Sequence, residues 1–442
     1  MRSGYRQMRG IPNKSRSEER RGMRNIKALK TGPVVAVASV LALLAAGCSS
    51  NSSGSPTGSA TGSTTGSAAH TYTIGLLTDL TGVASTNNQT SVEGVKAGVH
   101  WAAQHGYNIK YVVADTASSP SGVSSAINEL VQQDHVFAVV SVSSLTFLDS
   151  NSLTAAGIPV VGAAEDGPEW ITAPNMFSVF GPIDFTRVAT TSGLVFKNLG
   201  ATNVGTIGYG ISPSSSGAAA SSAASARAVG LKTGYVNTNL PFGSTNVGPV
   251  VLGMKSAGVN GVSGSVDSNT FFSLVTGLKQ SGANLKVALS PTGYGGDILN
   301  AGPGAVQSAQ GVYFLSSFEP VEMQTAATQQ FQSNLKAVGV HGDPTYGEYV
   351  GYTSIGLLVQ GLEAAGSSPT QASLIKGLSG ITNFNALGLF GSHTLDLSDR
   401  TATVIGVDNC YWITKLSGST FDLVPGMDPI CGTIVQGKTV SP

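Results

Sequence analysis

Charge is scarce in this chain. Asp, Glu, Lys and Arg make up 11% of its 442 residues, against ~25% in ordinary domains. The overall balance of 24 acidic and 24 basic side chains hides an asymmetry, because residues 1–47 hold ten of the basic groups and only Glu18 and Glu19. The remainder carries 14 basic and 22 acidic side chains, a net charge of −8. A mildly acidic body argues against nucleic acid as a partner, since its readers show basic patches. With 57 glycines the composition leans toward low complexity, but the periodic apolar segments described below argue for a packed fold.

Catalytic signatures are missing as well. No G-x-x-x-x-G-K-[ST] occurs, and "GYGISPSSSG" lacks the lysine of a phosphate loop. "GVSGS" misses the G-x-S-x-G elbow by one residue. The six histidines show no HExxH spacing, and His100 and His105 are one step off a shared helical face. Neither an enzyme nor a metal or cofactor site is expected.

No apolar run spans a bilayer, which takes ~20 residues. The longest at the start, Pro33–Ala46, follows a basic segment and precedes Gly47-Cys48. Charge, then grease, then small residues is the order of a signal peptide, and Ala-Ala-Gly-Cys resembles a bacterial lipobox. The expectation is a signal over 1–47 (with Met23 as an alternative start) and a lipid on Cys48. An ordinary secretory signal with an incidental cysteine is the alternative. Residues 49–70 have no large apolar side chain and read as a flexible tether, 48–71 in all. Cys410 and Cys431 are then an even pair in an exported protein, where a disulfide is the default. Their 20-residue loop would stabilise the fold by ~3 kcal/mol in the chain-entropy model. Two buried free thiols are the other reading.

The body alternates strand and helix. "YTIGLLT" (72–78), "IKYVVAD" (109–115), "VFAVVSV" (136–142) and "IPVVGAA" (158–164) read as strands, the last two apolar throughout as strands covered on both faces should be. "EGVKAGVHWAAQHG" (93–106) and the segment carrying Val123, Ile127, Leu130 and Val131 have helical spacing. The scheme repeats with strands at 204–210, 231–238, 261–266, 285–290 and 311–316 and helices at 269–282 and 346–366. "TATVIGVDNCYWITKL" suggests a hairpin turning at Asp408-Asn409. The order predicts an α/β fold of two doubly wound lobes with parallel sheets.

The succession of "IGLLTDLTG", "SVEGVKAGVHWA", "VSVSSLTF", "AAGIPVVGAAEDGPEW", "YGEYVGYTSIGLLVQGLEAAGS" and "LIKGLSGI" resembles the leucine/isoleucine/valine-type receptors, the type I periplasmic solute-binding proteins of ABC transporters. The resemblance covers residues 72–423. It implies two hinged lobes, the first from 72–182 and 315–390, the second from 183–314 and 391–442. It also implies a monomer that captures a small solute and delivers it to an ABC permease, working from a lipid anchor on the extracytoplasmic face. A sensory module of the same fold is the runner-up, and an exported hydrolase a distant third. The Thr-Asp-Leu-Thr-Gly turn after the first strand then belongs at the mouth of the cleft.

Matched positions imply the site. Ser143 falls where the family's serine meets the solute carboxylate, with plain helix capping as the alternative. Ala164 and Asp166 fall where a backbone carbonyl and a threonine hydroxyl are usual. Asn87 and Ser214 replace aromatics, and Asp267 or Ser268 stands where another is common. Thr292 replaces the acid that clamps an ammonium, and Tyr294 offers ring area. Glu165 faces either the cleft or water. With Asp166 and Asp267 turned toward a cleft that has no matched cation, the expected solute carries a positive charge or several hydroxyls and is not a simple carboxylate.

Overall fold

A computed structural model describes residues 70–401 and 404–441. The expected signal, Cys48 and nearly all of the tether lie outside the described residues. Fifteen strands are described: β1 Thr71–Thr78, β2 Asn108–Asp115, β3 Ala138–Val142, β4 Val160–Gly162, β5 Met176–Ser178, β6 Arg187–Ala189, β7 Asn203–Tyr209, β8 Lys232–Leu240, β9 Gly261–Ser265, β10 Val287–Ser290, β11 Tyr313–Ser316, β12 Cys410–Ser417, β13 Thr420–Leu423, β14 Ile430–Cys431 and β15 Ile434–Thr439. The principal helices are α1 Ser91–Gln104, α2 Pro120–Asn128, α3 Thr191–Asn198, α4 Pro213–Ala228, α5 Gly248–Ser256, α6 Ser268–Gln280, α7 Ala326–Ala337, α8 Tyr346–Ala365 and α9 Gln371–Ser379.

The first sheet is parallel throughout, in the order β2-β1-β3-β4-β5. Its central strand β3 is buried at every residue, because helices cover both faces. On one face α8 lies against α1 so closely that a Cβ on Gly94 would meet the carbonyl oxygen of Glu348 at 2.3 Å. The glycine is what permits that approach. A capping box between Thr345 and Glu348 starts α8 and fixes where its first turn stands.

The second sheet runs β13-β12-β11-β10-β9-β7-β8. Strands β7 to β11 are parallel, and β12 and β13 run against them. The chain passes between the lobes three times. The first passage follows β5. The second follows β11, which belongs wholly to the second sheet, so that passage begins after Ser316. The third lies beyond Leu397, whose N–H still donates to Ile381 O in the first lobe. Within it, Arg400 donates from Nη1 to Trp170 O and Met176 O, both at 2.8 Å, and lies 4.7 Å over the Phe177 ring. The passages are neighbours: Arg187 Nη1 donates to Thr401 O, and Gly406 lies against Ser317.

One expectation is corrected here. The hairpin is β12–β13, with Ser417 paired to Thr420, and it turns at Gly418-Ser419. Asp408 and Asn409 do form a turn, both at positive φ, but it leads into β12 from a loop. Residues 404–406 line a cavity instead of pairing as a strand. Cys410 and Cys431 are bonded as a disulfide joining β12 to β14.

Candidate functional site

Strand C-termini of both lobes converge on a cavity of about 260 Å³. In the first lobe the turn after β1 sets its floor. Asp79, 0% exposed, accepts from Asn88 Nδ2 at 2.8 Å, Ser143 Oγ at 2.7 Å, Ser144 N at 2.9 Å and Thr116 Oγ1. One carboxylate thus ties the ends of β1, β2 and β3 to the short helical turn at 85–88. The neighbouring turn is fixed by Asp115, which accepts from Leu80 N at 3.0 Å and Thr81 Oγ1 at 2.7 Å.

Glu165 follows β4 and reaches the cavity. Part of its surface faces that space, but protein surrounds the carboxyl on the other sides. Tyr346 Oη donates to Oε2 at 2.8 Å, and Asn88 also interacts with the carboxyl. Burial, opposed by the Tyr346 hydrogen bond and reinforced by the charges of Asp166 and Asp79, pushes its pKa up to about 8.

The second lobe contributes the first turn of α4 and the ends of β7, β9 and β10. Ser212 caps α4 and donates to Asp166 O at 3.1 Å, and Ser214 Oγ donates to Glu165 O. Ser268 Oγ donates to Asn87 Oδ1 at 3.0 Å, and Tyr346 N to Asp297 Oδ2 at 3.0 Å. These bonds join one lobe to the other, so the cleft is closed.

Besides Glu165, six of the sequence-named residues line this cavity: Asn87, Ala164, Ser214, Asp267, Thr292 and Tyr294. Several are already engaged. Asp267 caps α6 through Thr270 N at 3.0 Å and accepts from Tyr209 Oη, which drives the buried Tyr209 phenol upward in pKa after burial itself. Thr292 Oγ1 donates to Val266 O at 3.2 Å, and Tyr294 Oη to Glu322 Oε2.

Ser143 and Asp166 are placed elsewhere, which corrects their expected roles. Ser143 spends its hydroxyl on Asp79, and Ser144 takes the lining position. Asp166, also 0% exposed, turns into the first lobe, where Trp170 Nε1 and Phe147 N each donate to it at 2.9 Å. Those two donors are buried and need an acceptor; only the backbone carbonyl of Asp166 meets the second lobe. Glu169 stands beside it, and burial followed by the Asp166 charge raises the Glu169 pKa strongly.

Sequence reading missed Ser144, Arg187 and the rings contributed by the passages between lobes, Phe180, Phe185 and Phe318. It missed Tyr346 and Tyr349 too, though the capping box before α8 is legible in "TYGE" and places both rings in the helix's first turn. No His or Cys is among the lining residues.

Comparisons with known proteins agree with this fold. Residues 71–420 match the family model for periplasmic binding proteins. Among solved structures, the branched-chain amino acid transporter substrate-binding protein LivJ of Streptococcus pneumoniae, in complex with isoleucine, is 18% identical and superposes with a TM-score of 0.65. That match covers 83% of this chain and 99% of LivJ. A solute-binding protein of an R. palustris ABC transporter, in complex with 4-hydroxybenzoate, is 16% identical with a TM-score of 0.65, over 84% of this chain and 97% of its own. The leucine-binding protein LivK of Thermotoga maritima is 15% identical with a TM-score of 0.65, over 80% and 97%. A search of curated proteins finds no match.

Proposed function

Because the chain belongs to the periplasmic binding protein family, we propose that it is the lipid-anchored receptor of an ABC transporter, closing two lobes on a small polar solute and presenting it to a membrane permease. The proteins it resembles are solute binders, not enzymes. The observation that carries the reading is Glu165, a carboxyl-bearing side chain that lines the cavity and is held by Tyr346 Oη. Enclosure disfavours a charged carboxylate without a cation nearby, and an ammonium group supplies that cation with a charge-assisted bond. The solute is therefore an amine, alone or with hydroxyls, and not a plain dicarboxylate.

A thermal-shift screen of amines, amino acids, polyols and dicarboxylates tests this. A solute at 100 times its Kd should stabilise by ~2.7 kcal/mol. Calorimetry on Glu165→Gln should show at least tenfold weaker binding of the amine, and affinity in the native protein should rise with pH through about 8, where Glu165 ionises. Tight binding of a dicarboxylate with no response to Glu165→Gln would overturn the reading.

No helix among the described residues is long and apolar enough to cross a membrane; the proposed anchor is Cys48, at the end of Ala-Ala-Gly-Cys. Further acylation of that cysteine is needed, since one chain alone binds membranes marginally. Cys48→Ser should release the protein into the medium; a variant that stays with membranes after a salt wash refutes the anchor.

A further inference from the structure

Where the two lobes meet, one side-chain cluster lies outside the solute cavity. His393 stands in the first lobe, on a loop closed by its own N–H to Phe390 O at 3.1 Å and by the bridge between Phe384 and Leu395. Cys410 and Cys431 stand in the second lobe, opposite one another on β12 and β14. A ring nitrogen of His393 and the two sulfurs all lie within 4.8 Å of one another. The turn at Asp408-Asn409, both at positive φ, brings the chain to this point, and Asn409 Oδ1 pins it by accepting from Val404 N at 2.9 Å. Asp408 Oδ2 then meets His393 Nδ1 at 2.7 Å, and the ring packs edge-on against Trp412. A disulfide needs only the two cysteines. It leaves unexplained a histidine held by a carboxylate beside both sulfurs, and those are the donors and the outer partner of a zinc centre.

We propose that reduction of the disulfide turns this cluster into a zinc site, with Cys410, Cys431 and His393 as ligands, Asp408 orienting the ring and water in the fourth position. A dithiol reductant supplies the two electrons and two protons that convert the S–S bond into two thiols, and is itself oxidised to a disulfide. The ion then replaces the two thiol protons, which pass to solvent. Cys431 is exposed, so a reductant reaches the bond, while Cys410 is fully buried and closes the centre on one side. Tetrahedral bonds of ~2.0–2.3 Å set ligand atoms ~3.3–3.8 Å apart. Once the sulfurs part, the ring has about 1 Å to travel. Because its ligands come from both lobes, the ion ties them together beside the third passage.

Anaerobic titration of the reduced Cys48→Ser protein with Co²⁺ tests it, since Cys410 and Cys431 are then the only cysteines. A phosphine serves as reductant here, because dithiols chelate the metal themselves. A single equivalent should bind, with the thiolate-to-cobalt charge-transfer band and the intense visible bands of a tetrahedral site, and Zn²⁺ should displace it. The unreduced protein should show neither band. His393→Ala should weaken binding at least tenfold and Asp408→Asn about tenfold, while His341→Ala should change nothing. Zinc should also raise the melting temperature of the reduced protein and not that of the unreduced one. Where reduction unfolds the chain, zinc should restore the fold. A reduced protein that shows no cobalt bands and gains nothing from zinc would overturn the inference. So would equal binding before reduction, or a His393→Ala variant that binds as the parent does.

Discussion

Raising the pH from 5 to 9 should lower the stability of the protein by about 6 kcal/mol, so it should unfold at a clearly lower temperature in mild alkali than in mild acid. The cause is a set of buried carboxyls held neutral by their surroundings. Burial, against the opposing hydrogen bond from Thr345, brings Glu348 to a pKa of about 7, and Glu165 stands at about 8. Asp297, fully enclosed, is raised well above its ordinary value by burial first and by the Glu348 charge among other causes. Glu169 is raised strongly as well. Each such group holds its proton in the folded state at a pH where the unfolded chain has released it. The folded state then binds more protons, and stability falls as pH rises. The contribution is complete below the ordinary carboxylate range and is lost as pH climbs through about 7 and then about 8. A tenfold change in proton affinity corresponds to ~1.4 kcal/mol, so Glu348 supplies somewhat under half of this fall and Glu165 the larger part. Denaturant titrations across this range should show a steadily declining midpoint. Glu348→Gln, which keeps the capping box, should flatten the first part of the decline. A midpoint that is level or rising between pH 5 and 9 would refute the buried neutral carboxyls.

Asp79→Ala should destabilise the protein by about 3–5 kcal/mol and abolish solute binding. Four donors converge on this carboxylate, from Asn88, Thr116, Ser143 and Ser144, and each buried donor left without an acceptor costs about 1–3 kcal/mol unless water reaches it. Ser144 and Asn87 line the cavity next to residues this carboxylate holds, so the floor of the site would lose its shape along with its stability. Asp115→Ala is the control: it also removes hydrogen bonds to this turn, but at exposed or half-buried positions, and should cost about 1 kcal/mol. Chemical denaturation of both variants with an unchanged m-value checks the contrast. An Asp79→Ala protein within about 1 kcal/mol of the parent would show that the network carries little.

The lobes were legible because strand and helix periods differ, and runs such as "VFAVVSV" have no reading on an exposed surface. The site was legible by neighbourhood but not always by residue. Ser143 and Ser144 exchange places, as do Asp166 and Glu165, and both slips have one cause. Beyond the last paired residue of β3 or β4, side chains no longer alternate by the two-residue period, and the local turn decides which one faces the cavity. The acid that turned inward was chosen by Trp170 Nε1 and Phe147 N, partners that spacing does not reveal. The aromatic rings were hidden for another reason: Phe180, Phe185 and Phe318 sit in segments between lobes, where an apolar side chain reads equally well as core. The apolar run at 404–407 misled in the same way, suggesting a strand where the chain forms cavity wall.

The three passages between the lobes have a mechanical consequence. One flexible strap would let the lobes swing, twist and slide. Three straps set side by side, cross-tied at Arg187 with Thr401 and touching at Gly406 with Ser317, resist shear and torsion as a leaf spring does and stay compliant in bending alone. Relative motion is then confined to one axis. The mouth can widen only on the side away from the straps, and a docking partner meets a single curve of shapes, ordered by one opening angle.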